Sequence, residues 1–331
     1  MQLRAKCPSF AFAPSIDNLL WDAGAEKKKR AGQSPMPWLW VVFTVIASAG
    51  QVLRNAQQKE LTQSLGTVGA THVRFLFGLP FGVLFLVIVL TATGLPLPHL
   101  NSTMLAWTLT AALAQISATA LMLAAMRDRS FVVVTAYAKT EAMQVALFGL
   151  LFLGDRVTLS LAAAILIATI GVLLVSWPRS TGGEAFTWKP ALLGIASGAM
   201  FAIAAIGFRG GIRALDTPNF VVAASTTLAV GLLIQTVVLS AYLFVFDRKT
   251  LSDIFRLWRP SLLAGFTGAF ASQMWFFAFA LETAAKVRTL ALIEIPMAQI
   301  LSRNLFKQTL ASREALGIAL IVAGVVLLLN T

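Results

Sequence analysis

Two carboxyl groups stand out because of the residues around them. Glu141 and Glu294 each lie in a long apolar stretch, near its middle by residue count. A charge at the centre of a bilayer costs roughly 2.5–3.5 kcal/mol on insertion scales, so such a carboxylate should face protein or water. Either the pair contacts a solute or exchanges protons, as in a coupled carrier, or each is a neutral hydrogen-bonded link between helices. The two residues occupy matching positions in two similar halves of the sequence, which favours the functional interpretation.

Polar neighbours extend the first of these candidate sites. A spacing of i, i+4 and i+7 predicts one shared helix face for Tyr137, Glu141 and Gln144. The equivalent face around Glu294 is otherwise apolar, with Leu290 and Met297. One polar and one apolar wall would suit an amphipathic solute with an amine or amide at one end. The alternative is that the Tyr137 and Gln144 side chains only bond neighbouring helices.

Three further residues are candidates with weaker signals. Lys139 lies two positions from Glu141 and so on another face, where it would pair with a different helix or extend to the membrane interface. Arg74 opens the second predicted helix, as an anchor at lipid headgroups or as a contact for an anion. Trp275 could stack on a cation or only pack. Apart from these three residues, Gln51, Asn55 and Gln58 form a polar stripe with spacing i, i+4 and i+7, which lines a vestibule or joins helices.

The composition is that of an integral membrane protein. Hydrophobic residues make up 58% of the 331 residues and charged residues 12%. The apolar residues form long runs without charge at 75–93, 158–178 and 220–246. Runs of about 18 residues indicate membrane-spanning helices, whereas strands last about 4–8 residues. The net charge of +12 comes from scattered basic residues, which favours contact with anionic lipid over nucleic-acid binding.

Several classes of site are missing from the sequence. The single cysteine, Cys7, allows no intrachain disulfide, and the two histidines have no metal-ligand spacing. The chain has no P-loop and no catalytic motif such as H-E-x-x-H or G-x-S-x-G. We therefore expect no cofactor, no metal and no enzymatic activity. A channel or a structural membrane protein is the alternative to a carrier.

The sequence divides into a tail and two similar halves. Residues 1–36 are expected to be a disordered cytoplasmic tail, or Met36 is the true start. Ten apolar segments follow, with approximate cores at 38–57, 68–93, 103–126, 130–153, 157–177, 190–210, 218–246, 260–281, 285–306 and 312–330. A shift of 153 residues superimposes Glu141 on Glu294 and Gly171 on Gly324. Because each half has an odd number of helices, the two halves would be inverted repeats.

Several stretches resemble the EamA repeat of the drug/metabolite transporter superfamily. They are residues 137–141, 148–155, 170–172 and 294–296. The likeness departs from the family where Glu141 is followed by Ala142 instead of proline, and where the acidic residue expected after the fourth helix, Asp155, has Gln308 as its counterpart. The resemblance implies ten helices, cytoplasmic termini and movement of small metabolites, often outward. The positive charges of the connectors do not fix the orientation by themselves.

Together these observations predict an all-α membrane protein with ten transmembrane helices as two inverted five-helix repeats, residues 37–178 and 189–331. It would be a multi-pass protein of the inner membrane, monomeric or a homodimer. Its function would be secondary transport of a small amino-acid-like or drug-like solute by alternating access, with export as the expected direction. Protons are the candidate coupling ion, through Glu141 or Glu294.

Overall fold

The computed structural model describes residues 38–128, 134, 137–176, 188–297 and 312–330. Residues 40–331 belong to one compact unit. The predicted disordered tail lies outside the described residues.

The described residues form helices and no strands. In chain order the α-helices are α1 Leu39–Leu76, α2 Gly78–Thr93, α3 Ser102–Asp128, α4 Glu141–Leu153, α5 Leu159–Ser176, α6 Trp188–Ala214, α7 Phe220–Phe246, α8 Arg248–Arg256, α9 Trp258–Leu281, α10 Ala284–Leu290 and α11 Ser312–Leu329. A 3₁₀ turn, Ala291–Ile293, continues α10.

The helices have the lengths and surfaces of membrane spans. Among the described residues six runs are long and apolar enough to cross a bilayer: Leu39–Thr93, Ser102–Arg127, Trp188–Ala214, Phe220–Phe246, Trp258–Leu281 and Ser312–Leu329. Two apolar helices, Glu141–Leu153 and Leu159–Val175, are shorter. Large apolar side chains such as Val87, Leu151 and Val245 are exposed, as expected of a surface that faces lipid. The prediction of an all-α, multi-pass membrane protein is confirmed.

The chain reverses direction inside α1. Gly66 has φ 66° and ψ −178°, a conformation that only glycine adopts readily. The Gln58 side-chain amide donates to the backbone carbonyl of Ala70 at 3.1 Å. In a straight helix these residues would be about 18 Å apart, so the segments on either side of Gly66 run back along each other. The first apolar segment, with its approximate core at 38–57, therefore continues as a helix up to a one-residue turn at Gly66.

Both helices that carry the candidate carboxylates are interrupted. The predicted helix at 130–153 has a turn at Lys139 and Thr140, and α4 begins at Glu141. The Thr140 hydroxyl donates to the carbonyl of Tyr137 at 2.8 Å, a local bond that competes with the helical pattern. Glu294 follows the 3₁₀ turn after α10. Residues 294–297 are again α-helical, so each carboxylate lies directly after an irregular turn and not within a regular helix.

Glycines bring α5 and α11 into close contact. A Cβ atom at Gly171 would lie 2.6 Å from the carbonyl oxygen of Gly317. A Cβ atom at Gly324 would lie 2.8 Å from the carbonyl oxygen of Ala164. Because side chains at these positions would collide with backbone, the crossing requires glycine at both.

Candidate functional site

Two ion pairs connect two parts of the structure. One part is α4 with the turn before it, and the other is α10 with the residue that follows the 3₁₀ turn. The Lys139 ammonium lies 2.8 Å from Oε2 of Glu294. The Nε atom of Arg288 lies 2.9 Å from Oε1 of Glu141. All four side chains are buried. We call Lys139, Glu141, Arg288 and Glu294 the central cluster. Each of its pairs joins residues about 150 positions apart in the sequence.

Gln51 of α1 and Trp275 of α9 complete the surroundings of Glu294. The Gln51 amide donates to both carboxylate oxygens of Glu294, at 3.1 and 3.2 Å. The Trp275 indole N–H donates to the Gln51 carbonyl at 3.0 Å. The same indole ring stacks on the Arg288 guanidinium, whose carbon lies 4.4 Å from the ring centre. Glu294 thus has an ammonium and an amide as partners.

The two pairs of the central cluster differ in quality. Nε of Arg288 and Oε1 of Glu141 are close, but neither atom has a hydrogen-bond partner. The Nε–H bond of Arg288 is therefore not directed at the carboxylate. We treat this contact as an ion pair without a hydrogen bond, since the 2.9 Å distance is within range and only the angle fails. One guanidinium donor of Arg288 is therefore available to another acceptor.

Two more arginines are buried beside the central cluster. Arg74 is 2% exposed and donates to the hydroxyls of Thr119 at 3.2 Å and Ser272 at 3.4 Å. Arg54 is 1% exposed and donates twice to the side-chain oxygen of Asn55, at 3.2 and 2.6 Å. Neither guanidinium is in an ion pair with a carboxylate among the described side chains. The interpretation of Arg74 as an anchor at lipid headgroups does not fit its burial.

Glycine explains how two arginine stems fit side by side. A Cβ atom at Gly268 in α9 would lie 3.1 Å from Cγ of Arg74 and 3.5 Å from Cδ of Arg54. The absent side chain leaves the space through which both guanidinium groups reach the interior.

A cavity lies between these arginines and a set of aromatic rings. The empty space between its atoms is about 320 Å³, part of which is open to the surroundings. The room inside it is enough for about one water molecule. Its lining consists of Gln51, Arg74, Gln115, Phe201, Ala205, Phe208, Ser272, Trp275, Phe276, Phe279 and Arg288. In this conformation the site is nearly closed, with polar groups on one side and aromatic rings on the other.

A second, larger cavity opens where α1 reverses. Its empty space is about 890 Å³, part of which is open to the surroundings. It is lined by Lys59, Thr62, Gln63, Gly66, Leu123, Met126 and Arg127. This end of the helices is therefore accessible.

A third charged contact joins α6 to the connector after α4. Nη1 of Arg209 donates to both oxygens of Asp155, at 2.8 and 2.9 Å. Nε of Arg209 donates to the backbone carbonyl of Glu282 at 3.1 Å. We call Asp155, Arg209 and the carbonyl of Glu282 the Asp155 clamp. It ties the carboxyl end of α9 and the residues after α4 to α6.

Five of the seven predicted site residues meet around the central cluster and its cavity: Lys139, Glu141, Glu294, Arg74 and Trp275. Tyr137 lies elsewhere, against α6, where a Cβ atom at Gly194 would lie 2.6 Å from its own Cβ. Gln144 reaches only the Thr140 hydroxyl, at 3.5 Å. The turn before α4 breaks the helical spacing on which the shared face of Tyr137, Glu141 and Gln144 depended.

Sequence reasoning missed Arg54 and Arg288. Each lies near the end of a predicted apolar segment, at 38–57 and 285–306, where a positive charge is interpreted as part of the adjacent connector. A signal for Arg54 existed, because it lies three residues after Gln51 on the polar stripe of α1. Arg288 lies six residues before Glu294, and only the fold shows that it faces Glu141.

Comparison with known proteins agrees with this architecture. No curated protein matches the chain. Among solved structures, one crystal structure aligns with a TM-score of 0.63 over 86% of this chain and 95% of its own, at 16% identity, which shows a shared fold. Residues 188–330 match the EamA-like transporter family, in agreement with the resemblance seen in the sequence. The carboxyl-terminal part of this membrane protein, residues 188–330, is therefore similar to the EamA-like transporter family.

Proposed function

We propose that the chain is a secondary transporter that moves a small organic metabolite across the inner membrane by alternating access. The two moving parts would be the halves 37–178 and 189–331. One observation carries the proposal: both ion pairs of the central cluster, Lys139 with Glu294 and Arg288 with Glu141, connect one half to the other. A movement of one half against the other must change these pairs, which is what couples a bound solute to a conformational change.

The contacts between α5 and α11 support inverted repeats. A shift of 153 residues relates Gly171 to Gly324 and Ala164 to Gly317. The contact of Gly171 with the carbonyl of Gly317 thereby becomes the contact of Gly324 with the carbonyl of Ala164, and both are present. Exchange of the two halves leaves this crossing unchanged, as an approximate two-fold axis requires.

The interrupted helices support a solute site beside the carboxylates. In many secondary transporters the substrate and coupling ions bind near the midplane, at helices that are broken there. Glu141 begins α4, and Glu294 follows a 3₁₀ turn. Two breaks at equivalent positions of the two halves mark one site between them.

The two ends of the helices differ, which supports alternating access. The Asp155 clamp joins the halves at one end, whereas the large cavity near Gly66 is open at the other. With cytoplasmic termini, α1 would reach Gly66 on the far side of the membrane, so this conformation would face away from the cytoplasm. The reverse conformation would require the Asp155 clamp to separate.

The test is transport in liposomes that contain the purified protein, with a solute found by screening overexpressing cells for resistance to metabolites. A carrier exchanges labelled for unlabelled solute against a gradient, whereas a channel does not. We expect Glu294→Gln to lower this counterflow, or accumulation driven by a pH gradient, about tenfold or more, because the change removes a charge-assisted contact of Lys139. Loss of pH-driven accumulation with counterflow retained would assign proton coupling to Glu294.

Glu60→Gln is the matched control, since Glu60 is exposed on α1 and should transport at the wild-type rate. Wild-type counterflow and wild-type pH response in both Glu294→Gln and Glu141→Gln would contradict the proposed role of the carboxylates. Solute flux without counterflow would favour a channel.

A further inference from the structure

We propose that the transported solute is an organic anion, with an oxyanion head group bound by Arg74 and Arg288 and an apolar body held by the aromatic rings of the cavity. This inference rests on the proposed transport function and specifies its substrate class. It starts from the charges buried around the cavity.

The buried site holds more positive than negative charge. Arg54, Arg74, Lys139 and Arg288 contribute four cations, and two carboxylates, Glu141 and Glu294, face them. The chain has few acidic residues that could supply more: the undescribed internal segments contain one, Glu184. Burial of a charge without a partner is unfavourable, because the interior replaces water poorly. An anionic solute would supply the missing negative charge.

Two guanidinium groups at the cavity have a buried Nε atom without a directed hydrogen bond, although Nε of Arg288 lies 2.9 Å from Oε1 of Glu141. The Nε atoms of Arg74 and Arg288 are buried and lack a hydrogen-bond partner within the described residues. Both arginines line the same cavity. Guanidinium groups bind carboxylate, sulfonate and phosphate oxygens with directed hydrogen bonds. The cavity thus offers the Nε–H of Arg74 and the positive charges of Arg74 and Arg288 to one small group.

The opposite side of the cavity suits an apolar body. Phe201, Phe208 and Phe276 line it together with the Trp275 ring. Phe208 and Phe276 pack against each other with ring centres 4.7 Å apart. In this conformation the space between these rings holds about one water molecule, so the rings must separate to admit even a single-ring or short-chain body.

A solute with an amine fits the site less well. Glu141 and Glu294 face Arg288 and Lys139 within 3 Å, and Gln51 donates to Glu294 as well. An ammonium group would have to displace these cations and would add a further positive charge to the site. The arrangement therefore favours an anion over the amine or amide end that the sequence suggested.

Binding of three probes with the same ring tests the sign of the charge. Phenylacetate, phenylacetamide and phenethylamine would be titrated into the full-length protein in nanodiscs by calorimetry. We expect phenylacetate to bind about tenfold or more tightly than the amide and the amine. Equal affinities, preference for the amine, or no binding of any probe would overturn the proposal.

A variant assigns the preference to Arg74. Arg74→Gln should reduce phenylacetate affinity about tenfold or more and leave phenylacetamide affinity nearly unchanged, since only the anion uses the positive charge. Arg74→Lys, which keeps the charge but not the planar fork, should lose less. Arg256→Gln is the control, because Arg256 is exposed on α8. Wild-type preference in Arg74→Gln would contradict the assignment, and if that variant does not fold, the wild-type probe series decides alone.

Counterflow of labelled phenylacetate separates the two proposals, with protein-free liposomes subtracted for leakage. Anion binding without counterflow would overturn the transport function but keep the anion site. Counterflow of a cationic or neutral solute without anion preference would keep the transport function and overturn the anion site.

Discussion

The central cluster and the Asp155 clamp are both buried ionic contacts between the two halves, yet they differ in how far their donors are satisfied. In the clamp, Arg209 donates to both oxygens of Asp155 and to the carbonyl of Glu282. In the cluster, Arg288 meets Glu141 without a hydrogen bond, and its Nε is left without an acceptor. A contact in which every hydrogen-bond donor has an acceptor can stabilise a conformation without a ligand. A contact that leaves a donor without a directed hydrogen bond can bind a ligand there.

The balance of positive and negative charge also differs between the central cluster and the Asp155 clamp. Arg54 and Arg74 bring further positive charge to the cluster, and a cavity adjoins it. The Asp155 clamp has one carboxylate for one guanidinium. We therefore assign stability of the present conformation to the clamp and solute binding to the cluster, and each assignment can be tested by breaking one region.

The largest effect on stability is expected from Asp155→Ala. Removal of one member of a buried ion pair leaves the other charge without compensation, which typically costs about 3–5 kcal/mol. The loss should appear as a lower free energy of unfolding in detergent micelles, and combination with Arg209→Leu should recover much of it.

Glu282→Ala is the matched control for this experiment, because Arg209 bonds the backbone carbonyl of Glu282 and not its side chain. The half-buried Glu282 side chain accepts a hydrogen bond from the backbone N–H of Thr283 at 2.7 Å and lies 4.0 Å from Lys286, so its removal should cost about 1–2 kcal/mol, less than Asp155→Ala. Equal stability of Asp155→Ala and Glu282→Ala would contradict the distinction between the buried clamp and a half-buried charge.

The two carboxylates of the site and the class of membrane protein could both be predicted from the sequence. Glu141 and Glu294 are noticeable since acidic residues are scarce in apolar runs, and those runs are long enough to span a bilayer. Arg54 and Arg288 were missed for the opposite reason. An arginine near the edge of an apolar run is read as a connector, and only the fold shows that it turns inward.

The backbone interruptions were also beyond sequence reasoning. The polar residues at 57–64 indicate the end of the first apolar segment, but they do not show that the helix continues to a one-residue turn at Gly66. The turn at Lys139 and Thr140 is stabilised in part by the pairing of Lys139 with Glu294, a contact between residues 155 positions apart in numbering. Tertiary contacts of that kind override helical spacing, which is why Tyr137 and Gln144 do not join the site.

The contact between α5 and α11 joins the same two halves without charges, and its disruption should have an intermediate effect on the free energy of unfolding. Gly171→Val would push a side chain into the carbonyl of Gly317, and overpacking of this kind typically costs about 1–3 kcal/mol. Gly324→Val should cost a similar amount, because its contact with Ala164 is equivalent. The free energy of unfolding measures both.

Leu173→Val introduces the same residue at an exposed position of α5 and should have little effect. A loss for Gly171→Val without a comparable loss for Gly324→Val would contradict the two-fold relation between α5 and α11.

The smallest effect is expected from Trp275→Phe, which removes the indole N–H that donates to Gln51 but keeps a ring over Arg288. A single hydrogen bond is worth about 1 kcal/mol, so phenylacetate affinity should fall by about fivefold in calorimetric titration. Trp258→Phe is the control, since its ring also faces an arginine, Arg259, but is exposed. A loss as large as that of Arg74→Gln would mean that the aromatic side, and not the positive charge, dominates recognition of the solute.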